Sequence, residues 1–254
     1  MAAAIEFREI SFITAQGDLL LDSISLSLEQ GSTTVLLGRS GSGKTTLLRT
    51  VNRMVEPTSG TVLVNGSPSR ASDPIALRRG IGYVIQETGL FPHLTIARNV
   101  GLVLEAQGCA KKERLERSHQ LLQDVGLDPA RFATRYPHQL SGGQRQRVGL
   151  ARALAADPPI LLMDEPFGAL DPLTRAEMQD MLRGLLKRMH KTVLLVSHDL
   201  NEALYLADSI VLMEKGRAIA TLTPRDFLAS CEPSVVDYVQ AYYRGAEKQK
   251  EAQP

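Results

Sequence analysis

Eight consecutive residues, Gly38-Arg39-Ser40-Gly41-Ser42-Gly43-Lys44-Thr45, fit the pattern G-x-x-x-x-G-K-[ST]. They follow the apolar run Thr33–Leu37, which reads as a short strand. They precede Lys44–Met54, which reads as a helix with Leu47, Val51 and Met54 on one face. A phosphate cradle needs this setting. Glycines let the backbone curl until successive N–H groups face an anion, and the helix N-terminus adds partial positive charge. Lys44 can then reach β- and γ-phosphates, Thr45 can offer its hydroxyl to Mg²⁺, and Thr46 completes the stretch expected to hold a nucleotide. The plain alternative is a flexible Gly/Ser turn with an incidental lysine, against which the flanking strand and helix count.

Two further groups could do chemistry. Ile160-Leu-Leu-Met-Asp164-Glu165 is an apolar strand ending in two acids. Asp164 is suited to hold a Mg²⁺ shell, and Glu165 to polarise an attacking water. Strands often run into surface acids, so the pair gains weight only beside a phosphate loop, in a fold whose ligands sit at the carboxyl ends of parallel strands. Leu140-Ser141-Gly142-Gly143-Gln144 opens a helix. Ser141 is a good N-cap, and the N–H groups after it make a second anion site, although a well-capped helix alone would also account for Ser141.

The elements that must carry these residues follow from periodicity. In the first thirty residues Ile5, Phe7 and Glu9 alternate with their neighbours, and Ile24, Leu26 and Leu28 alternate with Ser23, Ser25, Ser27 and Glu29. A period of two predicts half-buried antiparallel strands. Further strands are expected at Thr61–Asn65, Ile81–Ile85, Ile160–Met163 and Thr192–Ser197. From about 92 to 157 helical patterns dominate, as in Lys112–Val125, where Leu115, His119, Leu122 and Val125 share a face. Pro172–His190 aligns Met178, Leu182, Leu185 and Met189. Strand–helix alternation predicts an α/β fold. The expected architecture is one domain over 1–254, with a mixed sheet core, an N-terminal antiparallel β-subdomain, an inserted α-helical subdomain at about 92–157, and a polar tail at about 245–254.

Composition narrows the function classes. At 254 residues and 43% hydrophobic content the chain can bury a full core. The 29 Lys+Arg against 28 Asp+Glu leave no broad electrostatic footprint for nucleic acid. Cys109 and Cys231 form no disulfide framework or metal-ligand spacing, which fits a reduced intracellular protein. The start, Met1-Ala-Ala-Ala-Ile-Glu, lacks the features of a secretory signal. No run approaches the ~18 apolar residues of a membrane span, so the expectation is a soluble chain that serves any membrane through a partner.

The phosphate loop, Gln86, Leu140–Gln144, Leu162–Glu165, Ala169-Leu170-Asp171 and His198 stand in an order and at separations that resemble the ATP-binding-cassette (ABC) family, a P-loop NTPase fold, from about Ile5 to about Tyr242. The resemblance implies ATP and Mg²⁺ as ligands, and ATP hydrolysis. It implies that Gln86 joins Thr45 and Asp164 around the metal, that Ser141, Gly142, Gly143 and Gln144 contact the γ-phosphate bound by a second copy, and that His198 contacts γ-phosphate beside Lys44 and Glu165. Asp171 resembles the aspartate that signals across the dimer, and it could equally be only the cap of the next helix. One departure stands out. The aromatic that the family stacks on adenine falls at Thr14, so either Phe12 substitutes through a shifted strand or stacking is weak.

Val51–Gly60, Ile81–Thr95 and Pro158–Asp171 are similar to the osmoprotectant import ATPases, which handle glycine betaine, choline, carnitine and related quaternary amines. This likeness implies a bacterial importer and a homodimer of ATPase subunits on the cytoplasmic face of the cell membrane. A membrane permease is expected to dock near Gln86–Leu94, with a substrate-binding protein in the same system and no nucleic acid. Many members carry a C-terminal pair of CBS modules, and this sequence stops before them. Alternatives are an importer of another small solute such as an amino acid, a soluble non-transport ABC ATPase, and a module that holds nucleotide without cleaving it. The presence of both Glu165 and His198 argues against the last.

Overall fold

The computed structural model describes residues 3–251, with side chains described through Arg244. In chain order the elements are β1 (Ala3–Ile13), β2 (Leu19–Glu29), β3 (Thr33–Leu37), α1 (Lys44–Val51), β4 (Ser59–Val64), β5 (Ser67–Pro68), α2 (Pro74–Arg79), β6 (Ile81–Val84), α3 (Ile96–Ala106), α4 (Lys111–Asp124), α5 (Pro129–Phe132), α6 (Gly142–Ala153), β7 (Ile160–Asp164), α7 (Pro172–Met189), β8 (Thr192–Ser197), α8 (Leu200–Leu206), β9 (Ser209–Glu214), β10 (Arg217–Leu222), α9 (Pro224–Leu228) and α10 (Pro233–Glu251). They form two compact units, Met1–Ser69 with Leu194–Pro254, and Arg70–Val193. The tail expected at about 245–254 is the end of α10 as far as Glu251, and residues 252–254 lie outside the described residues.

The first unit holds an antiparallel sheet of order β2-β1-β4-β5 and a run of strands β10-β9-β3-β8. In the latter β3 is parallel to β9 while β10 is antiparallel to it, so the sheet is mixed. β3 is buried along its whole length, as expected of a strand covered on both faces. The hairpins β4–β5 and β9–β10 each turn on two residues, Asn65-Gly66 and Lys215-Gly216, all with positive φ. Such turns match the twist of the strands they join.

Simple alternation fails in β1. Ile5 and Phe7 are buried, but Glu9 is exposed and Ile10 takes the core position. Glu9 has φ 52°, and the pairing with β2 shifts between Phe7 and Ile10. A bulge of this kind inserts one residue and reverses the faces beyond it. Ser25 Oγ accepts from the Glu9 N–H at 3.1 Å, and Ser11 Oγ accepts from the Ser23 N–H at 2.9 Å. Side chains thus satisfy two amides at the irregularities.

In the second unit β6 and β7 pair in parallel, Ile81 opposite Ile160 through Val84 opposite Met163. Helices α3, α4 and α6 pack on one another. The face expected of α4 holds in its second half, where Leu122 and Val125 are buried, and shifts in its first half, where Leu115 is 46% exposed and Ser118 and Leu121 are buried. The cause of the shift is a close approach to α3, where a β-carbon on Gly101 would lie 2.9 Å from Ser118 Oγ. The small Ser118, its hydroxyl donated to Arg114 O at 2.7 Å, occupies the seam. Helix α7 buries Met178, Leu182 and Leu185 as expected, with Met189 half-buried in its last turn. In the first unit α1 ends at Val51, short of the expected Met54. Arg53 adopts φ 55°, and Met54 is 58% exposed.

Gly82 gives a test of the packing. A β-carbon there would stand 2.5 Å from Ala153 O of α6 and 2.8 Å from Leu161 Cδ1. Gly82→Ala should destabilise the protein by about 1–3 kcal/mol, the range for overpacking a filled core. Leu115→Ala, on the exposed side of α4, should change stability by no more than about 0.5 kcal/mol. Urea unfolding of the two variants distinguishes them, and equal losses would contradict the observed phase of α4.

Candidate functional site

In the first unit the loop after β3 is shaped by its glycines. Gly38 has φ 153°, and a β-carbon on it would collide with Met213 O of β9. Gly43 has φ 96° and caps α1, and a β-carbon there would come 2.7 Å from Leu20 O. At both positions only glycine fits the conformation and the space. The curled loop buries Lys44 to 5% exposure. Its ammonium donates to Gly38 O and Arg39 O, both at 2.8 Å, and to Ser42 Oγ at 3.4 Å. Ser42 is itself buried and its carbonyl accepts from the Gly216 N–H, while Arg39, Ser40 and Gly41 are exposed. Thr45 and Thr46 are half-buried in the first turn of α1. The loop therefore fixes a cation at the amino end of a helix, and such a place suits phosphate.

His198, exposed, leaves the end of β8 in the same unit. The next residue, Asp199, caps α8 and accepts from Asn201 N at 2.8 Å and Glu202 N at 3.3 Å. At the tip of the β1–β2 hairpin, Thr14 uses its polar groups to close the turn. Its N–H donates to Asp18 O at 2.9 Å, and its hydroxyl accepts from Asp18 N at 3.1 Å. Phe12 is half-buried opposite Leu21, and the apolar pair exposed beside the turn is Ile13 with Leu19.

The second unit holds the acids. Asp164 closes β7 with 2% exposure, and Glu165 follows with φ 45°. A left-handed glutamate is strained by about 1–3 kcal/mol, and such strain persists only where neighbours enforce it. Gln86, exposed at the end of the β6 segment, brings Nε2 to 3.5 Å from Glu165 Oε2. The structure thus brings Gln86 beside Glu165. Thr45 belongs to the first unit, and Gln86 and Asp164 to the second. All three carry oxygen donors, the hard type that Mg²⁺ takes, and the buried carboxylate of Asp164 is the strongest of them.

At the start of α6, Ser141 and Gln144 form a reciprocal capping box. Gln144 N donates to Ser141 Oγ at 3.3 Å, and Ser141 N donates to Gln144 Oε1 at 3.0 Å. Ser141 and Gly142 are exposed, and Gly143 is buried because a β-carbon there would run into Thr174 Cγ2 of α7. Asp171 caps α7, accepting from Thr174 N at 3.1 Å. Hydrogen bonds from the side chain and backbone of Thr174 hold its carboxyl below the usual carboxylate range. The charged cap therefore supports α7 above the normal carboxylate pKa, and that support is lost as pH falls through the lowered value.

Some supporting residues escape a motif reading. Gln146, 6% exposed, donates to Pro166 O at 2.6 Å, tying α6 to the turn after Glu165. Arg152 donates to Thr88 O at 2.7 Å and Gly89 O at 2.6 Å, clamping the segment after Gln86 to the other end of α6. Burial pushes its pKa down. Asn99 is fully buried and bonds four backbone groups of the loop before α3, at Phe91, Leu94 and Thr95. Polar residues at buried helical positions were the available signal. Their partners are carbonyls brought close by folding, which no spacing encodes.

A family model described as "ABC transporter" matches residues 21–168. The choline transport ATP-binding protein OpuBA of Bacillus subtilis is 46% identical over 212 residues, 84% of this chain and 55% of its own length. The glycine betaine uptake system ATP-binding protein YehX of Escherichia coli is 42% identical over 243 residues, 96% of this chain and 77% of its own. The chain spans little more than half the length of OpuBA and of the osmoprotectant import protein OsmV of Salmonella typhimurium. Among solved structures, cbiO1 from Clostridium perfringens, part of an ABC transporter complex, superposes with TM-score 0.83 at 26% identity over 99% of this chain and all of its own. The ATP-binding cassette MJ0796, a dimer in a post-hydrolysis state bound to ADP and Pi, gives 0.78 at 33% identity over 87% of this chain and 99% of its own. A match over more than half of the sequence, joined by that agreement in fold, decides the question of kinship: this chain belongs to the ABC transporter family.

Proposed function

We propose that the chain is a single ABC ATPase domain that binds ATP with Mg²⁺ and hydrolyses it as one of two identical copies, powering a bacterial importer of quaternary amine osmoprotectants. The observation that carries this reading is the buried ammonium of Lys44, held over the loop by two carbonyls at 2.8 Å. An arriving triphosphate offers that ammonium charged acceptors, which make stronger hydrogen bonds than carbonyls do. The N–H groups from Gly38 to Thr46 then gather the β- and γ-phosphates. Thr45, Gln86 and Asp164 would hold Mg²⁺, which when bound neutralises charge developing on the phosphates. Glu165, kept near Gln86, orients and deprotonates the attacking water. His198 hydrogen-bonds the γ-phosphate.

Ser141, Gly142, Gly143 and Gln144 serve the nucleotide of the second copy. Their capping box uses the N–H groups of Ser141 and Gln144, and the exposed start of α6 serves as an anion site. Asp171, at the adjacent cap of α7, reports closure across the pair. Closure completes the set of donors around the phosphoryl group, and release of products reopens it. Gln146 and Arg152 make α6 the part that feels both the acidic turn and the segment after Gln86. A permease docking near Gln86–Leu94 would be coupled to hydrolysis through those bonds. No helix among the described residues is long and apolar enough to cross a membrane. This fits a peripheral subunit on the cytoplasmic face, bound to permease subunits and supplied by a substrate-binding protein. The likeness to choline and glycine betaine ATP-binding proteins supports the cargo class.

Glu165→Gln should lower ATP turnover by at least about a hundredfold, the lower end for loss of a general base, while ATP stays bound in a stable dimer on gel filtration. Turnover at the parent rate would remove Glu165 from the mechanism. A mixing experiment tests the shared site. Lys44→Ala and Ser141→Ala chains should each be inactive, and an equal mixture should regain up to about a quarter of parental turnover. Half of the random dimers then hold one intact site of two. No recovery would mean that the start of α6 serves its own chain's nucleotide.

A further inference from the structure

We propose that α10 is a strap that positions His198, with the hydroxyls of Tyr238 and Tyr242 holding the turn at 198–199 in a single conformation. This inference rests on the hydrolase reading above, in which His198 meets the terminal phosphoryl group. Tyr238 Oη donates to the backbone carbonyl of His198 at 3.0 Å, and Tyr242 Oη donates to Asp199 Oδ1 at 2.8 Å. The two tyrosines are four residues apart, one above the other on a single helix face. Val235, fully buried, anchors the same stripe one turn earlier.

The turn is also held from below. Ser197 Oγ accepts from Asp199 N at 2.9 Å and donates to Glu202 Oε2 at 2.6 Å, and Glu202 is 5% exposed. The β8 end, the cap of α8 and two rungs of α10 thus converge on three consecutive residues, of which His198 is the central one. Both hydroxyls are durable donors. Burial first, then the negative charge of Asp199, pushes the Tyr238 phenol up to about 12, and burial with the bond to Asp199 raises Tyr242 further. Arg39 is the cation that acts on Tyr238 in the opposite sense.

The same helix reaches the phosphate loop. Ser234, Asp237 and Tyr238 line a cavity of about 330 Å³ together with Arg39 through Ser42. Tyr238 therefore touches the histidine turn and flanks the lysine loop at once. A packing role alone needs only the rings, which phenylalanine would keep. The positioning role needs the oxygens, because their acceptors belong to His198 and Asp199.

The test compares the parent chain, Tyr238→Phe/Tyr242→Phe, His198→Ala, and the triple variant. The double variant should lose about tenfold in kcat, in keeping with the cost of a misplaced reacting group, with KM for ATP within about twofold. In the His198→Ala background the same two changes should cost nothing more, since the group they position is gone. Amides at 198–202 should exchange hydrogen faster in the double variant than in the parent. An unchanged kcat, an equal further loss without His198, or unchanged exchange would each overturn the strap. A parent that hydrolyses no ATP would instead overturn the hydrolase reading, while the exchange measurement still decides the strap.

Discussion

A lysine ammonium with 5% exposure must be surrounded by oxygen, because a charge taken from water is stable only where donors meet acceptors. Much of the first unit follows from that constraint around Lys44. The loop has to curl until the Gly38 and Arg39 carbonyls face inward, and the curl brings Gly38 against Met213 O and Gly43 against Leu20 O. Those contacts explain why β3 is flanked by β9 and why the start of β2 lies over the loop. The turn at Lys215-Gly216 joins the same cluster, since Gly216 N donates to Ser42 O.

The second unit solves a different problem with the same economy of parts. Helix α6 has an exposed, capped start and a buried body, and its polar side chains reach outward to carbonyls. Gln146 holds the turn beyond Glu165, Arg152 holds the segment beyond Gln86, and Arg147 holds Val125 O at the end of α4. The bond from Gln146 satisfies a buried donor. Together these bonds make one helix the common support of the acidic turn and of the β6 exit. The strained φ of Glu165 is tolerable because the Gly168 N–H bonds its own carbonyl and Gln146 bonds the next one, at Pro166.

The hairpin tip around Thr14 is shaped by its own hydrogen bonds. Thr14 closes the turn with both backbone and side chain, so this position serves the hairpin's own geometry. Phe12 lies opposite Leu21 within the strand pair, and Ile13 and Leu19 are the apolar groups left exposed. The bulges at Glu9 and Ser23 shift the register that a strict alternation would assign. They do so with little loss of hydrogen bonding, because serines of the same sheet take up the amides.

The parts whose information is local could be read from residue order. The phosphate loop between β3 and α1, the acids ending β7, the Ser141 cap and the limits of β3 and β8 were all legible. In each, residue type and spacing set the backbone conformation directly: glycine for positive φ, serine for a cap, an apolar run for a covered strand. Features that depend on a partner distant in the chain were fixed by folding. The phase of α4 was set by the approach of Gly101 to Ser118, and the face reversal in β1 by a bulge at Glu9. The roles of Gln146, Arg152, Asn99, Tyr238 and Tyr242 were set by carbonyls and a carboxylate that folding brings within reach. A hydrogen bond between residues 40 positions apart, such as Tyr238 to His198, leaves no periodic trace, because its geometry is fixed by packing and not by the residues next to it.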